Sequence, residues 1–509
     1  MPKKSSGTGL FGVIALAGFL AFTLAACGGA GDGSKCQPGG FGTSGEPYII
    51  CTAQDLAALA TEVNSGDNKS GVYYKLAGDI NLSAYRAGAG WTPIGYDGNY
   101  PFRGHFDGDG KTVSNLAINT TLEPAGLFGC LYGATVENLG VEIAPAGITG
   151  AYNVGGVAGE VDFGGAINNC HVTGGDITGT NHVGAVAGWV RESTVSNSFA
   201  TNNVTSTGYE IAGGLVGVVY GGAVYNCHAT GAVAGARHVG GVVGVVSDST
   251  TTVTSIVSNC HATGDVTGNS EVGGVVGTVF SVAYGSRIRN CYATGNVMGT
   301  TYVGGVAGVV SEDSTVSNCY ATGDVTGYEY VGGAAGSVGF NSSLSNCYSM
   351  GDIAGHTEVG GVAGVVSDNS SVSNCYATGS VTGGDYIGGV AGYVSNDSVV
   401  RNCAALNEYI LSAGSNTGRV AGFFGNSGGV PAIAALINNV AFDGIPFMAS
   451  DPFLDGASID ADQVHIQSTY QVKLGWFFGG NDANPWKWGG SLPILYWQTQ
   501  VPIFPSHLR

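Results

Sequence analysis

Charged side chains are scarce in this chain of 509 residues. Only 10% of the residues are Asp, Glu, Lys or Arg, and 36 acidic residues face 17 basic ones, for a formal net charge of -19. A surface of this sign repels phosphate, which argues against nucleic acid and anionic lipid headgroups as partners. The acidity is compatible with cations, with basic proteins, or with solubility alone.

Two further absences narrow the class of protein. After the first 27 residues, no stretch reaches the roughly 18 uninterrupted apolar residues that a membrane-spanning helix needs. The H-E-x-x-H pattern, which places two zinc-binding histidines and a glutamate on one helix, does not occur either. The sequence therefore offers no metalloprotease helix.

Glycine, by contrast, is abundant at 90 residues, and the aliphatic residues are mostly Val, Ala and Ile. This composition favours many short strands and tight turns over helices. A segment resembling Val-Ser-Asn-Cys-Tyr-Ala-Thr-Gly, followed by Val-Gly-Gly-Val-Ala-Gly, recurs nine times between Cys170 and Cys403, at intervals of 28 to 33 residues. Such a period indicates stacked units of one kind, and hence a solenoid.

One position of the repeat predicts the core. If Val316 points inward, a one-residue bend at Asn318 resets the alternation, so that Cys319 also points inward and Tyr320 faces out. Asparagine suits the bend because it tolerates the left-handed conformation. Leucine occupies the same slot upstream, which predicts an apolar core column. Its predicted members are Leu116, Leu139, Cys170, Cys227, Cys260, Cys291, Cys319, Cys347, Cys375 and Cys403.

The cysteines of this column admit three interpretations. Free thiols would behave as small buried hydrophobes. Disulfides between coils would have a permissible Cα separation, but side chains on neighbouring parallel strands project side by side instead of toward one another, which disfavours the bond. A metal ladder would require converging ligands of other types, whereas the companions here are Ala and Val. We therefore predict no metal site in the column.

The first 27 residues resemble the export signal of a bacterial lipoprotein. Lys3 and Lys4 precede an apolar stretch, and Leu24-Ala25-Ala26-Cys27 resembles a lipobox, in which the cysteine is lipidated. The alternative is an ordinary cleaved signal peptide. Residues 28–35 read as a flexible tether. The resemblance implies a lipid anchor at Cys27 in the cell envelope, and the residue after the cysteine favours the outer membrane and exposure at the cell surface. Cys36 and Cys51 are the candidates for a disulfide bond.

The repeats from Val154 to Cys403 resemble the GLUG repeats of bacterial surface proteins, including adhesin-like proteins and the non-catalytic part of some immunoglobulin A proteases. The segments Trp91-Thr92-Pro93-Ile94-Gly95 and Leu492-Pro493-Ile494-Leu495-Tyr496-Trp497 resemble the usual beginning and end of such chains. The resemblance implies a parallel, right-handed β-helix of about 28 residues per coil, in agreement with the general handedness of parallel crossovers.

Both ends of a solenoid need caps. Residues 36–112 are predicted to form the N-terminal cap and first coils, with a short helix beginning near Thr52 and capped by Asp55. Residues 113–441 are predicted to form the regular solenoid. Residues 442–509, which hold most of the tryptophans, are predicted to form an aromatic C-terminal cap; the alternative is that these tryptophans stack on a sugar.

Two outward columns are candidates for binding. The first, which we call the aromatic strip, follows the cysteine slot and either meets a glycan or protein or merely stacks ring on ring. Its members are His171, Phe199, His228, His261, Tyr292, Tyr320, Tyr348 and Tyr376. The second column alternates Asp with neutral residues, which is typical of turn chemistry, although Asp324 and Asp352 could bridge a calcium ion. No other cofactor is predicted.

Two hypotheses follow for function. The first is a lipid-anchored surface protein that binds an unknown glycan or protein ligand without catalysis, as an adhesin or interaction scaffold. The second is a polysaccharide lyase or hydrolase on a β-helix, which would cluster outward acids beside a basic partner. The acidic column looks instead like turn chemistry repeated in each coil, and the sequence assigns no basic partner to Asp107 or Asp109 in their glycine-rich turn. No catalytic residue is therefore predicted, and the first hypothesis is preferred.

Overall fold

The structure is a computed structural model that describes residues 39–121, 123–248, 254–395, 397–414, 416–425, 435–446 and 452–509. The predicted lipoprotein signal, Cys27, the tether and Cys36 lie outside the described residues. Among the described residues, no helix is both long enough and apolar enough to cross a membrane.

The chain is an all-β parallel solenoid of about 13 turns with about 29 residues in each turn, which confirms the predicted fold class. The winding hand stays a prediction. A regular coil contributes three short strands to a 35-stranded sheet, one strand to a ten-stranded sheet and one to an eleven-stranded sheet, whereas the early coils of His105–Asn119 and Thr135–Thr149 each contribute one long strand to the largest sheet. Successive coils pair in parallel, as Tyr320 with Tyr348 and Val331 with Val359.

The 35-stranded sheet forms one side of the solenoid as three columns of strands with additional strands at its two ends. The first column comprises Ala166–Asn168, Thr194–Ser196, Ala223–Tyr225, Ile256–Ser258, Arg287–Arg289, Thr315–Ser317, Ser343–Ser345, Ser371–Ser373, Val399–Arg401 and Ala435–Ile437. The second comprises His171–Gly174, Phe199–Ala200, His228–Ala229, His261–Ala262, Tyr292–Ala293, Tyr320–Ala321, Tyr348–Ser349, Tyr376–Ala377, Ala404–Ala405 and Val440–Phe442. The third comprises Ile177–Gly179, Val204–Ser206, Val233–Ala234, Val266–Thr267, Val297–Met298, Val325–Thr326, Ile353–Ala354, Val381–Gly383 and Ile410–Ser412. The end strands are Tyr48–Ile50, Tyr73–Leu76, Ile80–Asn81, His105–Asn119, Thr135–Thr149 and Ala457–Ile459.

The two other parallel sheets close each coil. The ten-stranded sheet comprises Tyr152–Val154, Asn181–Gly184, Ala212–Gly213, Arg237–Gly240, Ser270–Gly273, Thr301–Gly304, Glu329–Gly332, Thr357–Gly360, Asp385–Gly388 and Thr417–Gly418. The eleven-stranded sheet comprises Phe128–Tyr132, Ala158–Asp162, Ala187–Arg191, Val216–Tyr220, Val243–Ser247, Val276–Phe280, Ala307–Val310, Ala335–Val338, Ala363–Val366, Ala391–Val394 and Ala421–Phe424. The core between the sheets is filled mainly by Val, Ala, Ile and Cys.

The predicted helix near the N-terminus is α1, Ala53–Asn64. Its N-cap Thr52 accepts a hydrogen bond from the Asp55 amide, and the Asp55 carboxylate accepts one from the Thr52 amide, which forms the predicted capping box. The helix buries Leu56, Leu59, Ala60 and Val63 in the core. An amphipathic helix at this point gives the first strands an apolar cover in place of a preceding coil.

At the other end, the segment Pro452–Asp455 forms α2, whose backbone continues the stack: the Val420 amide donates to the Leu454 carbonyl oxygen. Two helices follow, α3 at Ala461–Val464 and α4 at Gln467–Leu474. A small antiparallel sheet then forms from Phe478–Asn481, Asn484–Trp488 and Pro493–Leu495. Two short 3-10 turns, Ser83–Tyr85 and Ser506–Leu508, complete the described elements.

Candidate binding surfaces

The bend before the cysteine slot is made by asparagine in the left-handed conformation. The backbone angle φ of every one of these asparagines lies between +51° and +62°. They are Asn115, Asn138, Asn169, Asn197, Asn226, Asn259, Asn290, Asn318, Asn346, Asn374, Asn402 and Asn438. Their amides also link coils: Asn346 Nδ2 donates to Asn318 Oδ1 at 3.2 Å, and Asn318 Nδ2 donates to Asn290 Oδ1 at 3.3 Å. The asparagine thus sets the conformation of each coil and bonds it to the next.

The predicted core column lies inside the solenoid. Its members have at most 1% of their surface exposed, namely Leu116, Leu139, Cys170, Cys227, Cys260, Cys291, Cys319, Cys347, Cys375 and Cys403, together with Ser198 in the same slot. The nine described cysteines other than Cys51 are free thiols. Burial raises the pKa of the Cys170 thiol to about 12, which keeps it protonated at neutral pH.

The thiols are hydrogen-bonded as well as buried. Cys319 Sγ donates to the Ser317 carbonyl oxygen at 3.1 Å, while the Cys347 amide donates to Cys375 Sγ at 3.4 Å. Where serine replaces cysteine, the Cys170 amide donates to Ser198 Oγ at 3.0 Å. The column therefore supplies acceptors for amides that the bend leaves without a backbone partner, a role that its apolar appearance did not predict.

Cys51 differs from the core thiols because it is disulfide-bonded. Its predicted partner, Cys36, lies outside the described residues. The pairing of Cys36 with Cys51 stays a prediction.

The aromatic strip forms one continuous stack of eight rings. Neighbouring ring centroids are 4.6 to 5.1 Å apart and the rings tilt by at most 7°, from His171 through Phe199, His228, His261, Tyr292, Tyr320 and Tyr348 to Tyr376. The distance between neighbouring coils sets this ring spacing, because each ring occupies the same position in its coil. Burial lowers the pKa of His171 and His228, and burial with the neighbouring His228 lowers that of His261 to about 4.

The last three rings of the strip, from Tyr320 to Tyr376, are covered, which corrects their prediction as a binding surface. Tyr320 is 8% exposed, and Tyr348 and Tyr376 are fully buried. Residues 475–509, here called the C-terminal cover, lie across them: Tyr348 Oη donates to Gln498 Oε1 and Tyr376 Oη donates to the Pro493 carbonyl oxygen, both at 2.8 Å. The lower part of the strip, His171, Phe199, His228, His261 and Tyr292, is half-buried, and Trp497 of the C-terminal cover also stacks on Tyr292 with ring centroids 6.1 Å apart.

The C-terminal tryptophans account for this cover. Trp497 stacks against Tyr320 with ring centroids 5.7 Å apart, and Trp486 is 6.0 Å from Tyr376. Trp476 stacks on Trp486 at 4.6 Å and donates its Nε1 to the Asn402 carbonyl oxygen. These rings pack along the side of the solenoid, whereas the prediction placed them over its last coil.

The acidic outward column forms hydrogen bonds between coils. Asp324 Oδ1 accepts from the Asp352 amide at 2.9 Å, and Asp352 Oδ1 accepts from the Ser380 amide at 2.8 Å. In the preceding coils, Asp265 Oδ1 accepts from the Asn296 amide and Asn296 Oδ1 accepts from the Asp324 amide, so each again bonds to the coil that follows it. One oxygen of each of these carboxylates is thus engaged with the next coil, as turn chemistry predicts, and not by a basic side chain.

A separate cluster holds three potential ligand atoms. Cys130, Glu160 and Asp162 place one such atom each within 4.8 Å of one another. Asp162 Oδ2 accepts from Arg191 Nη2 at 2.5 Å, and Glu160 Oε1 accepts from Asn153 Nδ2 at 2.6 Å. Burial raises the pKa of both carboxyl groups. Arg191 and Asn153 therefore already compensate part of the cost of burying these acids.

Comparison with known proteins agrees with the repeat. The GLUG motif matches residues 208–234, 235–267, 268–298, 299–326 and 355–382, so this part of the chain carries GLUG repeats. Halomucin of Haloquadratum walsbyi is 37% identical over 133 residues, which are 24% of this chain and 1% of halomucin. This chain therefore spans a very small part of that relative.

One solved structure aligns along most of the chain. It is the crystal structure of a "putative immunoglobulin A1 protease" from Bacteroides ovatus, with 17% identity, 90% of this chain and 94% of the other covered, and a TM-score of 0.23. A score this low carries no argument about function.

Proposed function

We propose that the protein is a surface-anchored interaction scaffold that binds an extracellular ligand without catalysis. The observation that carries the proposal is that the repeated outward acids are engaged in the stack. Asp324 and Asp352 each accept a hydrogen bond from a backbone amide of the next coil, so these acids stabilise the stack of coils. The rival hypothesis, a lyase or hydrolase, would require acids held beside a base.

The repeats support the same proposal. GLUG repeats form this solenoid, and the similarity to halomucin lies within a protein whose name places it among mucins. A regular stack presents long outward columns on a rigid frame, which suits the recognition of an extended partner. The role requires no cofactor, and we do not propose calcium at Asp324 and Asp352 as part of it.

The anchor completes the proposal: lipidation at Cys27 would hold the solenoid in the envelope, facing outward from the outer membrane. Cells producing the full-length protein should incorporate a clickable palmitate analogue into it, and Cys27→Ser should lose the label and release the protein. Cys36→Ser is the matched control and should stay labelled. Loss of label in both variants would contradict the assignment of the anchor.

Surface exposure and lack of turnover are tested separately. Protease added to intact cells should digest the wild-type protein, whereas protection until the cells are lysed would indicate a periplasmic scaffold. Purified protein incubated with neutral and acidic polysaccharides should release neither reducing ends nor unsaturated uronates. Release of either product would favour the enzyme hypothesis.

A further inference from the structure

One coil departs from its neighbours on the edge between the third strand column and the ten-stranded sheet. Val204 pairs with Val233 and Ala212 pairs with Val239. The segment from Val204 to Ala212 therefore holds nine residues where the next coil uses seven, from Val233 to Val239. The two extra residues lift Tyr209 out of the stack, and its side chain is 88% exposed.

The coils above this bulge leave a notch beside Tyr209. Tyr209, Ala236 and Asn269 precede the paired positions Ala212, Val239 and Val272 in three successive coils, and all three line the same groove. Ala236, which has only a methyl side chain, belongs to the coil between those of Tyr209 and Asn269 and lines the same groove. Two coil spacings, about 10 Å, separate the paired positions Ala212 and Val272 that follow Tyr209 and Asn269. The notch is part of an open groove of about 530 Å³.

Polar side chains line the groove next to these three residues. Arg237 Nε and Nη2 donate to the two oxygens of Glu271 at 2.8 and 3.0 Å, which fixes the guanidinium and leaves further N–H donors for a ligand. Glu210 accepts a hydrogen bond from Asn181 Nδ2, and Ser270 adds a hydroxyl. The groove thus combines an exposed ring with fixed donors and acceptors.

These features match a sugar ring. The apolar face of a pyranose stacks on an aromatic ring, and its hydroxyl groups need both donors and acceptors. The charge of Arg237 is neutralised by Glu271, while Glu210 adds a negative charge to a chain that is already at -19. An anionic ligand would be repelled, so the electrostatics favour a neutral one.

We propose that this groove binds one neutral hexopyranose residue of an extracellular glycan, stacked on Tyr209 and hydrogen-bonded by Arg237 and Asn269. The proposal rests on the proposed function, since it names the ligand class of that scaffold. The lower part of the aromatic strip is a different surface, and its rings already stack on one another.

The chain offers a matched control at the same position of a later coil. Tyr328 precedes Val331 by three residues, as Tyr209 precedes Ala212, and each tyrosine is followed by a glutamate. Tyr328 is also exposed, at 49%, but one face of its ring stacks on His356 at 4.7 Å. Among the described residues, Tyr209 makes no ring stack.

The test uses the full-length protein in detergent and the methyl glycosides of glucose, galactose, mannose and N-acetylglucosamine, with methyl glucuronide as the acidic comparison. Saturation-transfer NMR and calorimetric titration should detect at least one neutral glycoside. Tyr209→Ala should weaken its binding at least tenfold, and Tyr328→Ala should change it less than twofold. Ala236→Leu, which fills the notch and removes no contact, should also weaken binding at least tenfold, and it provides an independent arm if Tyr209→Ala misfolds.

Three results would overturn the proposal: unchanged binding in Ala236→Leu, tighter binding of the glucuronide than of every neutral glycoside, or no binding of any glycoside at 20 mM. The last result would leave the proposed function standing if the protein is still labelled at Cys27 and digested on intact cells. Failure of those two cell assays would instead count against the scaffold itself.

Discussion

At the scale of single residues, the cysteine column serves both packing and hydrogen bonding. The Cys347 amide donates to Cys375 Sγ, and Cys375 Sγ in turn donates to the Ser373 carbonyl oxygen at 3.1 Å. Cys375→Ala should therefore cost about 1–3 kcal/mol, because it leaves a buried amide without an acceptor. Cys375→Ser should stay within about 1 kcal/mol of the wild type, since Ser198 makes the same contacts in its own coil.

Urea unfolding of the two variants checks this prediction. Equal losses in the alanine and serine variants would mean that the sulfur contributes volume alone. The sequence predicted the inward slot, because Leu116 and Leu139 also occupy it. It did not predict the acceptor role, because the repeat does not show which amide the left-handed asparagine leaves unpaired.

Glu160 provides a pH-dependent prediction. Burial, and then the nearby Asp162, raise its pKa, so the folded chain holds the proton more tightly than the unfolded one. Stability from this group is therefore greatest below its unfolded pKa and falls as the pH rises through the folded pKa. Glu160→Gln should raise the free energy of unfolding at pH 7 by on the order of 1 kcal/mol, with no gain at pH 3.5.

Denaturant titrations at both pH values measure the difference. Glu142→Gln, at an exposed site on the strand Thr135–Thr149, is the matched control and should change stability at neither pH. A gain that is equal at both pH values would show that charge is not its source. This cluster could not be predicted from sequence, since Cys130, Glu160 and Asp162 meet only through the register of two strands.

At the scale of elements, the C-terminal cover is the part that the repeat pattern could not predict. Its contacts with Tyr348 and Tyr376 join residues more than 100 positions apart, and the segment itself has no period. Aromatic composition suggested a cap, but composition does not indicate which face a cap protects. The αL asparagines and the capping box of α1 were predictable because both are local.

The cover should detach without unfolding the solenoid. Trp486 is 1% exposed and packs on Trp476 and Tyr376, so Trp486→Ala should destabilise the docked cover by about 3–5 kcal/mol. Limited proteolysis followed by intact mass should then show rapid cleavage within residues 475–509 and an intact solenoid fragment. Trp189→Ala, on the eleven-stranded sheet, is the control and should leave the cover resistant. Simultaneous digestion of the whole chain would show that the cover and the coils unfold as one unit.

At the scale of the whole molecule, the stack is close to one-dimensional, since each coil pairs mainly with the coil before and the coil after it. The spacing of the Asn-Cys steps was therefore enough to predict a solenoid, whereas the parallel β-helix was implied by the resemblance to GLUG repeats. The same spacing did not predict the Tyr209 groove. The interval from Ser198 to Cys227 is only one residue longer than the usual 28, because a shorter segment later in that coil partly offsets the two-residue insertion.

Removal of a whole coil tests this view. Deletion of residues 199–227 joins Ser198 to His228, restores the register of every strand column, and removes a coil that the cover does not contact. The variant should fold with an unchanged circular dichroism spectrum per residue, and small-angle scattering should show a rod shorter by about 4.8 Å. Deletion of residues 199–212 removes half a coil, sets each later strand against the wrong neighbour, and should abolish cooperative unfolding. If the two deletions were equally harmful, coil-to-coil pairing would not be the organising interaction, and long-range packing of the caps would have to hold the chain together.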